Sequence, residues 1–133
     1  KGRLDIARLL LEAGAAVSQA KTNGTTPLHM ACSKGQLEIV RLLLEANAAV
    51  GQAAENGVTP LYIACRNGRL ECVQLLLEAG AAINQARNGG ATPLNIACQE
   101  DHLECVQLLL EASATVNQAD AEGVTPLSIA CQE

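Results

Sequence analysis

The chain has 133 residues, of which 49% are hydrophobic, and it carries a formal net charge of −5. Its only Phe, Trp or Tyr side chain is a single tyrosine, so the core must be aliphatic, and this acidic composition argues against a nucleic-acid-binding protein. No apolar run approaches the roughly 20 residues that a membrane-spanning helix needs, so membrane insertion is not expected.

Two short motifs recur along the chain in one register. The tripeptide Thr-Pro-Leu begins every 33 residues, at Thr26, Thr59, Thr92 and Thr125. The pentapeptide Leu-Leu-Leu-Glu-Ala keeps the same step, at Leu9, Leu42, Leu75 and Leu108. A fixed period of this length indicates a stacked repeat protein. The register predicts one domain, 1–133, made of a half repeat 1–20, full repeats 21–53, 54–86 and 87–119, and a half repeat 120–133. Because both ends fall within a repeat, we expect an internal piece of a longer array or a chain with permuted ends.

Each period predicts a helix, a bend, a second helix and a hairpin loop. Thr followed by Pro suits the first residues of a helix, so the first helix runs from Thr59 to about Arg66 and ends at Asn67-Gly68. The second helix runs from Leu70 to Glu78 and stops near Ala79-Gly80. The polar segment that follows predicts an extended connection with a tight hairpin at 87–90.

The second helices predict a buried side and a solvated side. Leu37, Val40 and Leu44 fall on one face at helical spacing, and Leu76 and Leu109 are expected to point inward. The opposite side carries charged residues at pairing distance, namely Glu38, Arg41 and Glu45. We therefore interpret the repeated carboxylates as a solvated helix face.

These motifs resemble the ankyrin repeat family. The best stretches are Asn23–Cys32 and Gly35–Leu44, and the resemblance extends over the whole chain. It implies an all-α fold, an ankyrin-repeat solenoid of stacked helix-turn-helix units joined by hairpin loops. The family's His after Pro-Leu is kept only once, and the four residues at this position are His29, Tyr62, Asn95 and Ser128.

A second family position also departs from the pattern. The acidic residue that usually precedes Val-Asn is replaced in every repeat, by Ala16, Ala49, Ala82 and Thr115. One glutamine per repeat is a candidate for part of its polar role: Gln19, Gln52, Gln85 and Gln118. Asn84 and Asn117 lie at a spacing that resembles the asparagines hydroxylated in some ankyrin repeats, and whether either is modified stays open.

The six cysteines predict reduced, buried thiols. Cys32, Cys65, Cys98 and Cys131 are one period apart, and equivalent atoms of packed helices lie about 8 to 10 Å apart, beyond disulfide reach. Cys72 and Cys105 take the position of Ile39, which is typical of small core residues. No Cys-x-x-Cys pair or zinc-like spacing occurs, so no metal or cofactor is expected. Free thiols favour a reducing compartment, and we expect an intracellular protein of the cytoplasm or nucleus.

No catalytic constellation is recognisable. His29 and His102 fall in different repeats without a nucleophile at a motif spacing, and no phosphate-binding Gly-rich loop occurs. We expect no enzyme activity. Instead, the resemblance implies a protein-protein interaction module or scaffold, whose partner is another protein bound on a concave face of hairpin tips and first helices.

The residues that vary between repeats mark the expected binding face. Helical steps of four place Val58, Tyr62 and Arg66 on one strip, although Tyr62 fits a packing role equally well. The candidate partner-binding residues are Lys21, Asn23, Thr25, His29, Ser33, Lys34, Glu55, Asn56, Val58, Tyr62, Arg66, Asn67, Arg87, Asn88, Asn95, Gln99, Glu100 and Glu122.

Charge is distributed unevenly along the stack. Residues 1–66 hold seven Lys or Arg against five Asp or Glu, a net of +2, and residues 67–133 hold two against nine, a net of −7. Such a gradient would orient a partner and change its association rate more than its affinity.

We expect a monomer, whose uncapped ends leave end-to-end stacking open. Two further interpretations stay open: a regulatory or targeting segment of a larger enzyme or channel, and a designed repeat protein with no natural partner.

Overall fold

The computed structural model describes residues 2–132, and within this range the chain forms α-helices joined by loops, with no β-strand. The elements are α1 (Gly2–Glu12), α2 (Pro27–Lys34), α3 (Leu37–Glu45), α4 (Pro60–Arg66), α5 (Leu70–Glu78), α6 (Pro93–Gln99), α7 (Leu103–Glu111) and α8 (Pro126–Ala130). The helix α4 packs against α2, α5 and α6, which is the neighbour-to-neighbour contact of a solenoid. None of the helices in this range has the length and apolar character needed to cross a membrane.

Each first helix begins as the Thr-Pro motif predicts. The Thr59 hydroxyl accepts a hydrogen bond from the Tyr62 backbone N–H at 3.1 Å, and Pro60 occupies the first turn. The same cap forms at Thr26, Thr92 and Thr125. A threonine cap satisfies one of the backbone donors that a helix leaves open at its start. The predicted positions of α4 and α5 are confirmed.

The bends after the helices require left-handed backbone. Gly68, which follows α4, has a φ of 67°, as the sequence predicts. Within residues 2–132, a residue other than glycine has a positive φ at Asn47, Asp101 and Ser113, with φ values of 66°, 62° and 70°. A side chain disfavours this conformation, least for Asn and Asp.

The core is aliphatic and lies between neighbouring repeats. Leu76 and Leu109 are fully buried, as predicted, and so is Val40. Leu37 and Leu44 are half-buried and pack against the core. On the outer side Glu38, Arg41 and Glu45 are exposed, and Arg41 Nε lies 3.8 Å from Glu38 Oε2.

The loops form the predicted hairpins, and neighbouring hairpins are tied together. Arg87 N–H donates to Ala91 O at 2.9 Å, and Gly90 N–H donates to Arg87 O at 2.9 Å. One backbone hydrogen bond then joins each tip to the preceding one, as from Asn88 N–H to Asn56 O at 2.9 Å. The tips therefore form a continuous row along the stack.

The two end repeats expose apolar residues that inner repeats bury. Leu10 is 56% exposed, whereas Leu76, at the same position of a later repeat, is 0% exposed. At the other end Leu127 is 73% exposed, against 2% for Leu94. A hollow of about 490 Å³ lies beside α8 at that end, lined in part by Val106. In inner repeats the second helix packs against the first helix of its own repeat, which α1 lacks within the described chain, and the first helix is followed by a further helix pair, which α8 lacks there.

Candidate functional site

The candidate residues gather on one face of the stack. We call this the hairpin face: the tips 21–25, 54–58, 87–91 and 120–124, together with the exposed sides of α2, α4, α6 and α8. The exposed candidates are Lys21, Asn23, Lys34, Glu55, Asn56, Arg66, Arg87, Asn88, Gln99, Glu100 and Glu122. Three further candidates, Thr25, Ser33 and Asn67, are half-buried.

Four candidate residues are buried, which contradicts the expected exposed strip at Val58, His29 and Asn95 and agrees with the packing role that the sequence left open for Tyr62. Val58 and Tyr62 are each 3% exposed, so of the strip Val58, Tyr62 and Arg66 only Arg66 reaches the surface fully. His29 and Asn95 are each 1% exposed. His29, Tyr62 and Asn95 are buried because the position after Thr-Pro-Leu points between repeats there, where it makes hydrogen bonds to the adjacent hairpin, and Val58 belongs to the apolar core.

His29 shows this role most completely. Its Nδ1 lies 3.1 Å from the Thr26 backbone nitrogen and 2.8 Å from the Thr26 hydroxyl. Its Nε2 lies 2.8 Å from Val58 O in the next hairpin. Burial lowers the pKa of His29 below its usual value, although the hydrogen bond to Val58 opposes that shift. A neutral ring that donates from Nε2 and accepts at Nδ1 satisfies both contacts.

Tyr62 fills the same position with a different bond. Its hydroxyl accepts a hydrogen bond from Arg87 Nε at 2.9 Å, and the Arg87 guanidinium carbon lies 5.9 Å from the ring centroid. Arg87 Nη1 also donates to Asn88 O at 2.8 Å. A core tyrosine therefore holds an exposed arginine of the next hairpin in a fixed place.

Asn95 and Ser128 complete the series. Asn95 hydrogen-bonds the Thr92 hydroxyl, and its Nδ2 donates to Val124 O of the next hairpin at 3.4 Å. The exposed Ser128 hydroxyl instead donates to Thr125 O of its own helix cap at 2.9 Å. Four different side chains thus occupy this one repeat position, and three of them form a hydrogen bond with the following repeat.

A shallow concavity lies at the centre of the hairpin face. It encloses about 340 Å³ and is lined by Asn56, Val58, Tyr62, Arg66, Arg87, Ile96, Gln99 and Glu100. Arg66 and Arg87 are exposed on it, and within residues 2–132 the only ion pairs are those of Arg8 and Arg41. The concavity therefore presents two cations that have no internal carboxylate partner in the described chain.

Sequence reasoning missed several hydrogen bonds between repeats. Asn67 Nδ2 donates to Ser33 O at 3.0 Å, and Arg69 Nε donates to the same oxygen at 3.2 Å. His102 Nε2 lies 3.0 Å from Arg66 O. The His102 ring also lies against Gly68, where an added Cβ would come within 2.7 Å of it. The sequence offered one signal for these bonds. Arg69 and His102 are one period apart, and each contacts a backbone carbonyl oxygen of the preceding repeat.

The hydrogen bonds expected from the four glutamines are made instead by residues at another repeat position. Asn84 Oδ1 accepts from Thr115 N–H at 2.9 Å, and Ser18 Oγ accepts from Ala49 N–H at 2.9 Å. Among the side chains of the four glutamines, the only hydrogen bond within residues 2–132 is one at 3.5 Å from Gln19 Nε2 to the adjacent Ala20 O. Ser18 and Asn84 share one repeat position, and it is this position that links successive loops.

The cysteines are free, but they are not all buried as expected. Cys98 is half-buried and Cys131 is exposed. Hydrogen bonding with Cys72 and burial raise the pKa of Cys32, and burial raises that of Cys65. Cys32 and Cys72 lie in adjacent repeats, and their proximity was not evident from the one-period spacing. Within residues 2–132 no three Cys, His, Asp or Glu side chains gather as metal ligands.

The repeated helix pairs, capped first helices and tied hairpins define an all-α solenoid. A family model described as ankyrin repeats, in three copies, matches residues 1–87 and 83–133. The chain therefore belongs to the ankyrin repeat family. Proteins of this family are in general protein-protein interaction modules and typically non-catalytic. A search among curated proteins gave no significant match.

Proposed function

We propose that this chain is a protein-protein interaction module or scaffold that binds another protein through its hairpin face. The observation that carries the proposal is where the repeats differ. The hairpin face changes from repeat to repeat, with exposed residues as different as Lys34 and Glu100 at one position. The outer helix sides change less: α5 and α7 have the same sequence, and α3 differs there in carrying Arg41 in place of Gln74 and Gln107. A surface that varies on a uniform scaffold is suited to selecting one partner.

The charges of the hairpin face support an oriented partner. Lys21, Lys34 and Arg66 are exposed toward the amino-terminal side, and Glu100 and Glu122 toward the carboxyl-terminal side. A partner with the opposite polarity would be attracted in one orientation, and its association rate would fall as salt is added.

We also propose that the protein acts as a monomer in a reducing compartment, the cytoplasm or nucleus. The support for the compartment is chemical: the six cysteines are unpaired, and four of them are buried in the core, which suits an environment that keeps thiols reduced.

The binding face is tested by charge reversal on one side of the molecule. Arg66→Glu should weaken partner binding by more than about 1 kcal/mol, because arginine is prominent among residues that dominate interfaces. Affinity capture from cell extract with the wild type and with this variant, read by mass spectrometry, identifies partners whose recovery depends on Arg66. Titration calorimetry with the purified partner then gives the change in affinity.

Matched substitutions on the outer side provide the control. Gln74 and Gln107 are exposed on α5 and α7, so Gln74→Lys and Gln107→Lys should leave binding nearly unchanged. Circular dichroism should show that all three variants stay folded. If the outer substitutions abolish binding and Arg66→Glu does not, the hairpin face is not the site.

A further inference from the structure

The concavity of the hairpin face contains an arginine that the protein itself immobilises. Arg87 is exposed, yet its Nε is bound to the Tyr62 hydroxyl at 2.9 Å and its Nη1 to Asn88 O at 2.8 Å. The Tyr62 ring is 3% exposed and cannot turn away. Side chains that are ordered before binding lose less conformational freedom when a partner arrives. Arg87 is therefore prepared for a contact outside the chain.

Arg87 also keeps donors for such a contact. A guanidinium has five N–H groups, and two of these are used by Tyr62 and Asn88, which leaves about three for an external acceptor. Arg66 lines the same concavity, and neither arginine is ion-paired within residues 2–132. Two cations beside one small concavity favour an anion, and a guanidinium fork matches a carboxylate.

We propose that the concavity between Arg66 and Arg87 binds one Asp or Glu side chain in an extended segment of the protein partner, with Tyr62 positioning Arg87. This rests on the proposed function and names the partner chemistry of the same site. Ile96 lines the concavity with apolar surface that suits the carbon stem of the acidic side chain. Glu100 also lines the concavity and offsets part of its positive charge, so the site favours a single acidic residue over an acidic run.

A random-peptide display library, selected on the full chain, tests the proposal without knowledge of the partner. Peptides selected on the wild type should share one Asp or Glu position. Selection on Arg87→Glu should lose that preference and enrich Lys or Arg there. By fluorescence anisotropy, the best wild-type peptide should bind Arg87→Glu about ten-fold or more weakly. Exchanging its acidic residue for lysine should restore binding to Arg87→Glu.

Two controls separate recognition from folding. Arg41→Glu reverses an exposed charge on the outer side and should leave peptide affinity unchanged. Tyr62→Phe keeps the buried ring and removes only the hydroxyl, so affinity should fall about three-fold, and this loss should disappear in an Arg87→Ala background. A loss that persists without Arg87 would show that Tyr62 acts through the fold.

The remaining outcomes overturn the inference in distinguishable ways. If the selected peptides share no acidic residue but no longer bind after Arg66→Glu, the proposed partner chemistry is wrong and the hairpin face is still the binding site. Peptides that tolerate both Arg66→Glu and Arg87→Glu contradict the inference and the proposed face together. A selection that enriches no peptide also contradicts binding of an extended segment.

Discussion

The residue after Thr-Pro-Leu shows how one position links neighbouring repeats. His29 and Asn95 reach a backbone carbonyl of the next hairpin, whereas Tyr62 accepts from a side chain there. Because each of these groups is buried, an unpaired polar atom would cost free energy, and none of the buried side-chain polar atoms of residues 2–132 lacks a partner. Exchanges at the three buried positions therefore act on stability through hydrogen bonding as well as through volume.

The buried, hydrogen-bonded ring of His29 predicts that the free energy of unfolding depends on pH. Burial lowers the pKa of His29 in the folded state below the 6.5 of the exposed ring, so the unfolded chain takes up a proton first as the pH falls. The contribution of His29 to the free energy of unfolding is complete above pH 6.5 and is lost as the pH falls through the lowered pKa. For one proton the slope is at most about 1.4 kcal/mol per pH unit.

Urea unfolding between pH 5 and 8 measures this contribution. The matched variant is His29→Asn, which copies Asn95 and cannot titrate, so its unfolding free energy should fall less between pH 7 and pH 5 than that of the wild type. His102 and all carboxylates are present in both proteins and cancel in the comparison. Equal slopes would contradict the role assigned to the buried ring.

At the scale of elements, the ends of the second helices differ in backbone strain. Gly80 follows α5 with a φ of 90°, and Ser113 follows α7 at the same repeat position with a φ of 70°. A Cβ at a positive φ costs roughly 1 kcal/mol for residues that are not glycine or asparagine. The α7 end is thus less favourable than the α5 end although both helices have one sequence.

This difference predicts opposite effects of two exchanges. Ser113→Gly should raise the free energy of unfolding by about 1 kcal/mol, and Gly80→Ser should lower it by a similar amount. Ser113 is exposed and Gly80 has open space around it, so packing changes little in either case. Thermal melts followed by circular dichroism measure both, and a stabilising Gly80→Ser would refute the strain argument.

At the scale of the whole molecule, each helix is stabilised by the helices packed beside it, and α1 has no first helix beside it within the described chain, whereas α5 packs on α4. Leu10 and Leu76 occupy the same position of the Leu-Leu-Leu-Glu-Ala motif, yet their exposed fractions are 56% and 0%. The identical local sequence therefore buries very different apolar areas. This is the behaviour expected of a solenoid, whose stability is roughly a sum of repeat and interface contributions.

The same leucine position yields a matched pair of truncations. Leu76→Ala should cost about 2 to 5 kcal/mol, because it removes buried surface and leaves a cavity between repeats. Leu10→Ala should cost about 1 kcal/mol or less, because its side chain is already half in water. Urea titrations of both variants provide the measurement, and similar losses at the two positions would show that neighbour packing does not decide stability here.

The candidate site was predictable in outline and not in detail. The hairpins at 87–91 and the exposure of Arg66, Arg87 and Gln99 follow from turn residues and repeat variation. The burial of Tyr62 did not follow, since helical spacing places it on the same strip as Arg66 and cannot tell how closely the next hairpin approaches. The Arg87–Tyr62 bond spans 25 residues and depends on that approach.

By itself the sequence determined the family, the period and the helix boundaries, because these depend on local chemistry: threonine caps, proline at the helix start and left-handed turns recur every 33 residues. Only the tertiary structure decided which residues face a partner. A register position fixes where a Cα lies on its own helix, whereas exposure depends on the side chains that the next repeat brings against it. The same rule separates Cys32 from Cys131, which share a position and differ in burial because α8 lacks a following helix pair within the described chain.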